Sequence, residues 1–278
     1  MLTVAGGYVV ATPAAAASGM TASSAPAVWL AVLFHALLGT ALVAGGTNAL
    51  NQVAERDVDA LMHRTRGRPL PAGRLTPGAA IGFACAASVA GVVELAAFVN
   101  GPTALLAAST LVSYVFVYTP LKRRTSLATL VGAIPGALPI VGGWTAAGAP
   151  LDVRAAVLFG LMFLWQIPHF LALAWMYRDD YARAGLKMLS VGDDGGAATF
   201  RQAALNAAAL LPIGLLPVAL GMAGAAYFAG ALALSAALFA LAVMAARAPS
   251  RRAARRLFLA TLVYLPAILS LMAVNRGA

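Results

Sequence analysis

Three oxygen-bearing side chains recur every four residues at the end of an apolar segment: Asn51, Glu55 and Asp59. On an α-helix, residues four apart lie one turn apart on the same face. Two carboxylates and an amide oxygen suit Mg²⁺, which commonly takes one or two carboxylates and completes its shell with water and substrate phosphate. The spacing therefore favours a magnesium–phosphate site; the alternative interpretation is a solvated helix end held by salt bridges.

A second group of acids follows another apolar segment, in the string Tyr177-Arg-Asp-Asp-Tyr-Ala-Arg-Ala-Gly185. Asp179 and Asp180 are further candidate metal ligands, although Asp179 and Arg183 are four residues apart and could simply pair. Taken with the first group, these acids predict two metal sites around one diphosphate. Metal ions there would neutralise the charge that develops on a departing diphosphate.

Basic side chains accompany both acidic groups. Between His63 and Arg74, a loop rich in Gly and Pro carries four arginines close to the first group. Arginine is suited to bidentate contacts with phosphate. The residues that we expect to contact phosphate oxygens are Arg64, Arg68, Lys122, Arg123 and Arg178.

One histidine lies inside an apolar segment, in the string Trp165-Gln-Ile-Pro-His169. His169 precedes Arg178 by nine residues, which places it roughly 13 Å into the membrane at the helical rise. An ionisable residue at such a depth is a functional candidate. The alternative is a buried histidine that is hydrogen-bonded to a neighbouring helix.

The elements that position these residues must be membrane helices. Apolar residues make up 62% of the 278-residue chain, charged residues only 10%, and the mean hydropathy is +0.86. Because a soluble domain has about a quarter of its residues charged, this composition excludes a soluble enzyme and a disordered chain. The single cysteine excludes a disulfide framework and a cysteine-based metal site.

The apolar segments predict an all-α fold of nine transmembrane helices in a single domain, 1–278, because backbone groups in lipid must be satisfied within the segment. The active-site connections are then 51–77 and 177–201. The predicted spans lie near 2–17, 27–50, 78–99, 103–120, 126–147, 153–176, 202–221, 224–246 and 256–274.

The charge of the connections predicts how the chain is oriented. Of the 19 Lys and Arg residues, 17 lie in the connections after the second, fourth, sixth and eighth predicted spans. Positive connections face the cytoplasm. We therefore expect the amino terminus inside, the carboxyl terminus outside and the acidic groups at the cytoplasmic face; the net charge of +10 is a topology signal and does not indicate nucleic-acid binding.

These residues together resemble a known family. The spacing of Asn51, Glu55 and Asp59 is similar to the first acid-rich motif of the UbiA superfamily of intramembrane prenyltransferases, and the acids at 179–180 fall where its second motif belongs. Within that superfamily, the strings Glu55–Arg74, Tyr118–Arg123, Trp165–His169 and Tyr177–Gly185 resemble the protohaem IX farnesyltransferases. The resemblance runs from about residue 5 to the end of the chain.

The resemblance implies transfer of a farnesyl group from farnesyl diphosphate to a vinyl group of haem B, which gives haem O. It also implies Mg²⁺ as the cofactor and haem B as a substrate. The Ala- and Arg-rich composition favours a prokaryotic plasma membrane as the location. Asn51, Glu55, Asp59, Asp179 and Asp180 would hold the metal and the diphosphate. His169 would contact haem, and a haem A synthase is a possible downstream partner.

Two alternatives remain open from the sequence. The first is a prenyltransferase of the same superfamily that acts on a quinone or a chlorophyll-type acceptor, against which the string from Trp165 to His169 argues. The second is a membrane carrier without enzymatic activity. A carrier would more plausibly hold ionisable groups at the bilayer midplane, whereas most acids of this chain lie at the ends of the spans.

Overall fold

The computed structural model describes the backbone of residues 1–17 and 26–275, and the side chains of the same residues except 13–17. Within these ranges the regular structure is entirely helical, in agreement with the predicted all-α class. The helices are α1 Leu2–Ala17, α2 Pro26–Ala54, α3 Arg56–Leu61, α4 Pro77–Phe98, α5 Gly101–Val112, a π-helical segment Ser113–Tyr118, α6 Thr119–Leu121, α7 Ala128–Ala146, α8 Val153–Met176, α9 Arg178–Arg183, α10 Ala197–Ala219, α11 Ala225–Arg247 and α12 Arg251–Val274.

Eight of the helical segments in the described ranges are long and apolar enough to cross a bilayer. One of them, Gly101–Leu121, joins α5, the π-helical segment and α6 into a single span. The ninth apolar helix, α1, is shorter. The chain is therefore an integral membrane protein, and its predicted nine-helix bundle is confirmed with α1 as the short member.

Close backbone contact attaches α1 to α7. A Cβ atom placed on Gly7 would lie 2.1 Å from the carbonyl oxygen of Ile140, and one on Gly143 would lie 2.0 Å from that of Val4. Small residues at such contacts let membrane helices approach closely, which increases the van der Waals contact between them. The short first helix is thus packed into the bundle as one of its members.

Polar residues begin several of the spans, as N-caps do in soluble proteins. The side chains of Thr76, Asn100 and Ser250 accept hydrogen bonds from backbone N–H groups in the first turns of α4, α5 and α12, and Asp152 does the same for α8. The observed starts of α4, α5 and α8 lie within two residues of the predicted ones, whereas α12 begins at Arg251, five residues before the predicted start at 256.

The connections that carry the candidate site meet at one end of the bundle, which we call the basic end. The backbone N–H of His63 donates to Asp180 Oδ1 at 3.2 Å, which joins the segments 51–77 and 177–201. The N–H of Lys187 donates to the carbonyl oxygen of Lys122 at 2.9 Å. The fold therefore brings together connections that are more than a hundred residues apart in sequence.

The contact between α1 and α7 can be tested by adding one methyl group. We expect Gly143→Ala to destabilise the protein by about 1–3 kcal/mol, the typical cost of overpacking, because the new Cβ meets a backbone carbonyl. The measurement is the thermal unfolding midpoint in detergent. Gly82→Ala on α4 is the control, since its Cβ meets no atom within 4 Å; equal midpoints for the two variants would contradict the close contact.

Candidate active site

A cavity of about 220 Å³ opens at the basic end of the bundle, and we call it the charged cavity. Residues from α2, α3 and the following loop, from the π-helical segment, and from α7, α8 and α9 form its walls. The polar residues that line it are Asn51, Glu55, Asp59, Arg64, Arg68, Tyr114, Tyr118, Lys122, Thr129, Gln166 and Tyr181.

The first acidic group lies on one face, as its spacing predicts, although the helix breaks within it. α2 ends at Ala54 and α3 begins at Arg56. Backbone hydrogen bonds from Glu55 N to Asn51 O and from Asp59 N to Glu55 O, at 2.9 and 2.7 Å, continue the helical path across the break. All three predicted ligands therefore line the charged cavity.

Glu55 and Lys122 form a buried ion pair in the cavity wall. Lys122 Nζ lies 2.6 Å from Glu55 Oε1, and both side chains are about one-tenth exposed. Burial lowers the pKa of Lys122, and the carboxylate of Glu55 opposes that shift. Asn51 Nδ2 donates to the second oxygen of Glu55 at 3.0 Å. The charges compensate each other, so neither ion is left alone at the edge of the apolar bundle.

A second ion pair holds Asp59. Arg68 Nη1 donates to Asp59 Oδ2 at 2.7 Å, with the aspartate side chain 1% exposed and the arginine 39% exposed. Arg64 lies over the rings of Tyr177 and Tyr181, at 4.9 and 5.5 Å from the ring centroids. The loop therefore directs two guanidinium groups back towards the acids.

The second acidic group lies beside the charged cavity and does not line it. Asp180 is buried; it accepts from His63 N and pairs with Arg183. Burial alone would raise the pKa of Asp180, but these hydrogen bonds outweigh it and lower the pKa. Asp179 is 86% exposed, with Arg178 Nε at 3.7 Å. Of the two acids, Asp180 is thus nearer to the first group.

Two of the predicted phosphate contacts also lie outside the charged cavity. Arg123 is exposed and lines a neighbouring depression that it shares with Glu55. Arg178 donates to the carbonyl oxygen of Asp194 at 3.3 Å and lies over the ring of Trp175. The structure places both residues at the rim of the basic end.

His169 lies on α8 next to the residues that line the charged cavity. Gln166 and Phe170 contribute to the cavity wall, whereas the His169 ring faces α12. Its Nδ1 is 2.8 Å from Thr261 Oγ1. This is the interhelical hydrogen bond of the alternative interpretation, and His169 is not among the residues that line the charged cavity.

Several lining residues cannot be identified from the acidic motifs. Tyr114 and Tyr118 belong to the π-helical segment, a feature often found at functional sites. Lys122 Nζ lies 4.7 Å from the centroid of the Tyr118 ring. The four-residue spacing of these tyrosines and Lys122 was the available signal, because it places all three on one face.

Two glycines of α7 make room for side chains that line the cavity. A Cβ on Gly132 would lie 2.5 Å from the ring of Tyr118, and one on Gly136 would lie 2.1 Å from Gln166 Oε1. A four-residue glycine spacing is typical of close packing between two membrane helices. In the structure it is side chains of the site that approach them.

A second cavity, of about 210 Å³, lies next to the charged cavity along α2, α5 and α7. We call it the apolar cavity. Tyr114 and Gly136 line both cavities. The residues that line only the apolar cavity include Val43, Ala44, Leu106, Ala107, Leu138, Pro139 and Gly142.

The donor set of the charged cavity fits a magnesium ion that is shared with a substrate. Asn51, Glu55 and Asp59 bring an amide oxygen and two carboxylates to one cavity, and Glu55 Oε1 lies 2.6 Å from the ammonium group of Lys122. Among the described residues, no three acid, histidine or cysteine side chains come together as a metal cage. Mg²⁺ does not require one, because it is usually held by one or two carboxylates, water and substrate phosphates.

Comparison with known proteins places the chain in a family. The model of the UbiA prenyltransferase family matches residues 10–265. The chain belongs to the UbiA prenyltransferase family. Its all-helical membrane fold is therefore that of a membrane prenyltransferase.

Two bacterial relatives of this UbiA prenyltransferase are named protoheme IX farnesyltransferase. The protein from Solibacter usitatus is 49% identical over 244 residues, which cover 88% of this chain and 84% of the relative. The protein from Sorangium cellulosum is 49% identical over 249 residues, which cover 89% of each chain. The similarity therefore extends through nearly the whole bundle.

A solved structure shares the fold at low sequence identity. A UbiA homologue from Archaeoglobus fulgidus, determined bound to GPP and Mg²⁺, superposes with a TM-score of 0.60 at 16% identity and covers 97% of this chain and 96% of its own. This likeness shows the fold.

The buried pair of Glu55 and Lys122 makes a testable prediction. We expect Lys122→Met to cost on the order of 3 kcal/mol in unfolding free energy, because it leaves a carboxylate buried without its counter-ion. Adding Glu55→Gln should recover most of that loss. Denaturant titration of both single variants and the double variant measures the coupling, and purely additive losses would contradict a compensating pair.

Proposed function

We propose that this protein transfers a farnesyl group from farnesyl diphosphate to a vinyl group of haem B and thereby makes haem O. The observation that carries the proposal is the pair of adjacent cavities, one lined by acids and cations and the other mainly apolar. A prenyl diphosphate has the same two parts. The near-full-length similarity to relatives named protoheme IX farnesyltransferase supports haem as the acceptor.

In this proposal Asn51, Glu55 and Asp59 hold Mg²⁺ together with the diphosphate. When bound, the metal ion supplies positive charge to the leaving diphosphate. Lys122, Arg68 and Arg64 line the same cavity and contact phosphate oxygens. Asp180, at the edge of the cavity, is the candidate for a second metal ligand; Asp179, Arg123 and Arg178 have supporting roles at the rim.

The apolar cavity takes the farnesyl chain. It extends from Tyr114 to Thr103 along one span, a distance of about 16 Å at the helical rise. Most of its lining residues are apolar, with four threonines and Asn48 among them, so it offers a prenyl chain a mainly apolar environment. The allylic carbon would then lie beside Tyr114 and Gly136, which line both cavities.

The chemistry requires that water stay away until the new bond has formed. The allylic C–O bond breaks and the diphosphate leaves with the electron pair. The π electrons of the haem vinyl group form the new C–C bond, and water then adds to the resulting cation with loss of a proton. The rings of Tyr114 and Tyr118 line the cavity at this position, where their π faces favour a cation and their bulk excludes water.

His169 is the proposed contact to haem. Because Gln166 and Phe170 on the same helix line the charged cavity, a porphyrin held at His169 has its edge near the prenyl group.

We further propose that the protein lies in a prokaryotic plasma membrane with the basic end in the cytoplasm, the amino terminus inside and the carboxyl terminus outside, as the positive connections favour. A haem A synthase as downstream partner also stays a prediction.

Product analysis tests the proposed function. Purified protein with haem B, farnesyl diphosphate and Mg²⁺ should yield haem O by mass spectrometry. We expect Asp59→Asn to lower the rate by at least about a hundredfold, the scale seen when a group that stabilises developing charge is removed. Asp57→Asn is the matched control, because Asp57 is exposed and does not line the cavity.

No haem O from the wild-type protein would refute the proposed activity. Equal rates for Asp59→Asn and Asp57→Asn would show that the charged cavity is not where the diphosphate reacts.

The apolar cavity can be shortened without disturbing its walls. A Cβ on Gly142 meets no atom within 4 Å, and Gly142 lines the deep part of the cavity. We expect Gly142→Leu to lower kcat/KM for farnesyl diphosphate and to leave that for the shorter geranyl diphosphate nearly unchanged. Gly82→Leu on α4, where a Cβ also meets nothing, is the control. An equal loss of kcat/KM with both substrates would show that the farnesyl chain does not occupy the apolar cavity.

A further inference from the structure

Thr261 on α12 connects to α8 through two hydrogen bonds. Its side chain is completely buried. The hydroxyl group lies 2.8 Å from His169 Nδ1, and the carbonyl oxygen accepts from Trp165 Nε1 at 2.8 Å. A single residue of the last helix therefore fixes both aromatic side chains of the string from Trp165 to His169.

The hydrogen bonds of the Thr261 hydroxyl group determine the tautomer of His169. A threonine hydroxyl has one hydrogen to donate. That of Thr261 is donated to the carbonyl oxygen of Phe258, one turn earlier on α12, at 2.6 Å. The hydroxyl oxygen can then only accept from His169, so Nδ1 carries the imidazole hydrogen. In the neutral ring the lone pair is consequently on Nε2.

Two flanking rings fix the plane of the imidazole. Trp165 stacks on His169 with a centroid distance of 5.2 Å and an interplanar angle of 21°. Phe258 also stacks on it, at 4.7 Å and 27°. With stacking partners and one nitrogen bound to Thr261, the ring has little freedom to rotate.

The free nitrogen is available to a ligand. No described residue forms a hydrogen bond with His169 Nε2, and the residue is only half-buried. A neutral imidazole that donates from one nitrogen and offers the lone pair of the other is the usual form of a metal-ligating histidine. The partner on the first nitrogen sets the orientation of the ring and its basicity.

We propose that Thr261 is a positioning residue that holds His169 in the Nδ1–H tautomer, so that Nε2 binds the iron of the haem substrate. The inference rests on the proposed function, since it takes haem as the acceptor. Iron ligation at His169 fixes the porphyrin next to Gln166 and Phe170, and hence its vinyl edge next to the charged cavity. Thr261 itself contacts neither substrate.

The first test reads the tautomer without any substitution at Thr261. The chain has three histidines, so ¹⁵N-histidine NMR of the protein in nanodiscs gives few signals, and loss of one of them in His169→Gln assigns it. We expect Nδ1 of His169 to be protonated and Nε2 to be unprotonated. Protonation at Nε2 in the absence of haem would overturn the proposal.

The second test compares Thr261→Val with Thr261→Ser by haem titration and resonance Raman spectroscopy. Thr261→Val keeps the shape but removes the hydroxyl, and we expect haem affinity to fall about tenfold to a hundredfold with a changed iron–histidine signature. Thr261→Ser should restore both. Affinity for farnesyl diphosphate with Mg²⁺ should be the same in both variants.

The outcomes separate the two proposals. If wild-type protein makes haem O but Thr261→Val binds haem with unchanged affinity and spectrum, the positioning role is wrong and the proposed function stands. If Thr261→Ser fails to rescue a defect of Thr261→Val, the hydroxyl is not what matters and the proposal is overturned. Absence of haem O from the wild-type protein refutes the proposed function itself.

Discussion

Compensation of charge at the edge of an apolar bundle is the constraint on which the site depends. Glu55 and Asp59 are buried at the basic end, where an isolated carboxylate would be costly. Lys122 and Arg68 neutralise them at 2.6 and 2.7 Å. The same requirement explains why a diphosphate suits this cavity. Its negative charge would pair with Lys122 and Arg68, and the magnesium ion that we propose with it would then compensate the carboxylates of Glu55 and Asp59.

In the proposed function, the charged cavity holds the reacting diphosphate and the apolar cavity holds the prenyl chain. The charged cavity lies where helices end and connections supply polar atoms, whereas the apolar cavity runs between α2, α5 and α7 inside the bundle. Tyr114 and Gly136 line both cavities. Two residues of α8 face different surroundings, because Gln166 lines the charged cavity and His169 contacts α12. In the proposed function, α8 would therefore contact the prenyl donor through Gln166 and the porphyrin acceptor through His169.

Local patterns in the sequence predict the spans and the first acidic motif, because both follow from the helical period and the apolar runs. The same patterns cannot predict which side chains meet across the bundle. Lys122 pairs with Glu55 from a span nearly seventy residues away, and Tyr181 reaches the cavity from α9. The adjacent acids Asp179 and Asp180 differ because α9 starts after a break at Tyr177, which leaves one exposed and the other buried.

The most direct test of this account is the position of the metal ion. Crystals grown with Mn²⁺ in place of Mg²⁺ and a non-reactive farnesyl diphosphate analogue would locate the metal by anomalous scattering. The account predicts a peak bonded to oxygen atoms of Asn51, Glu55 or Asp59 and bridged to the diphosphate, with the prenyl chain along α5. A diphosphate and metal bound elsewhere, with this cavity still closed by its ion pairs, would contradict it.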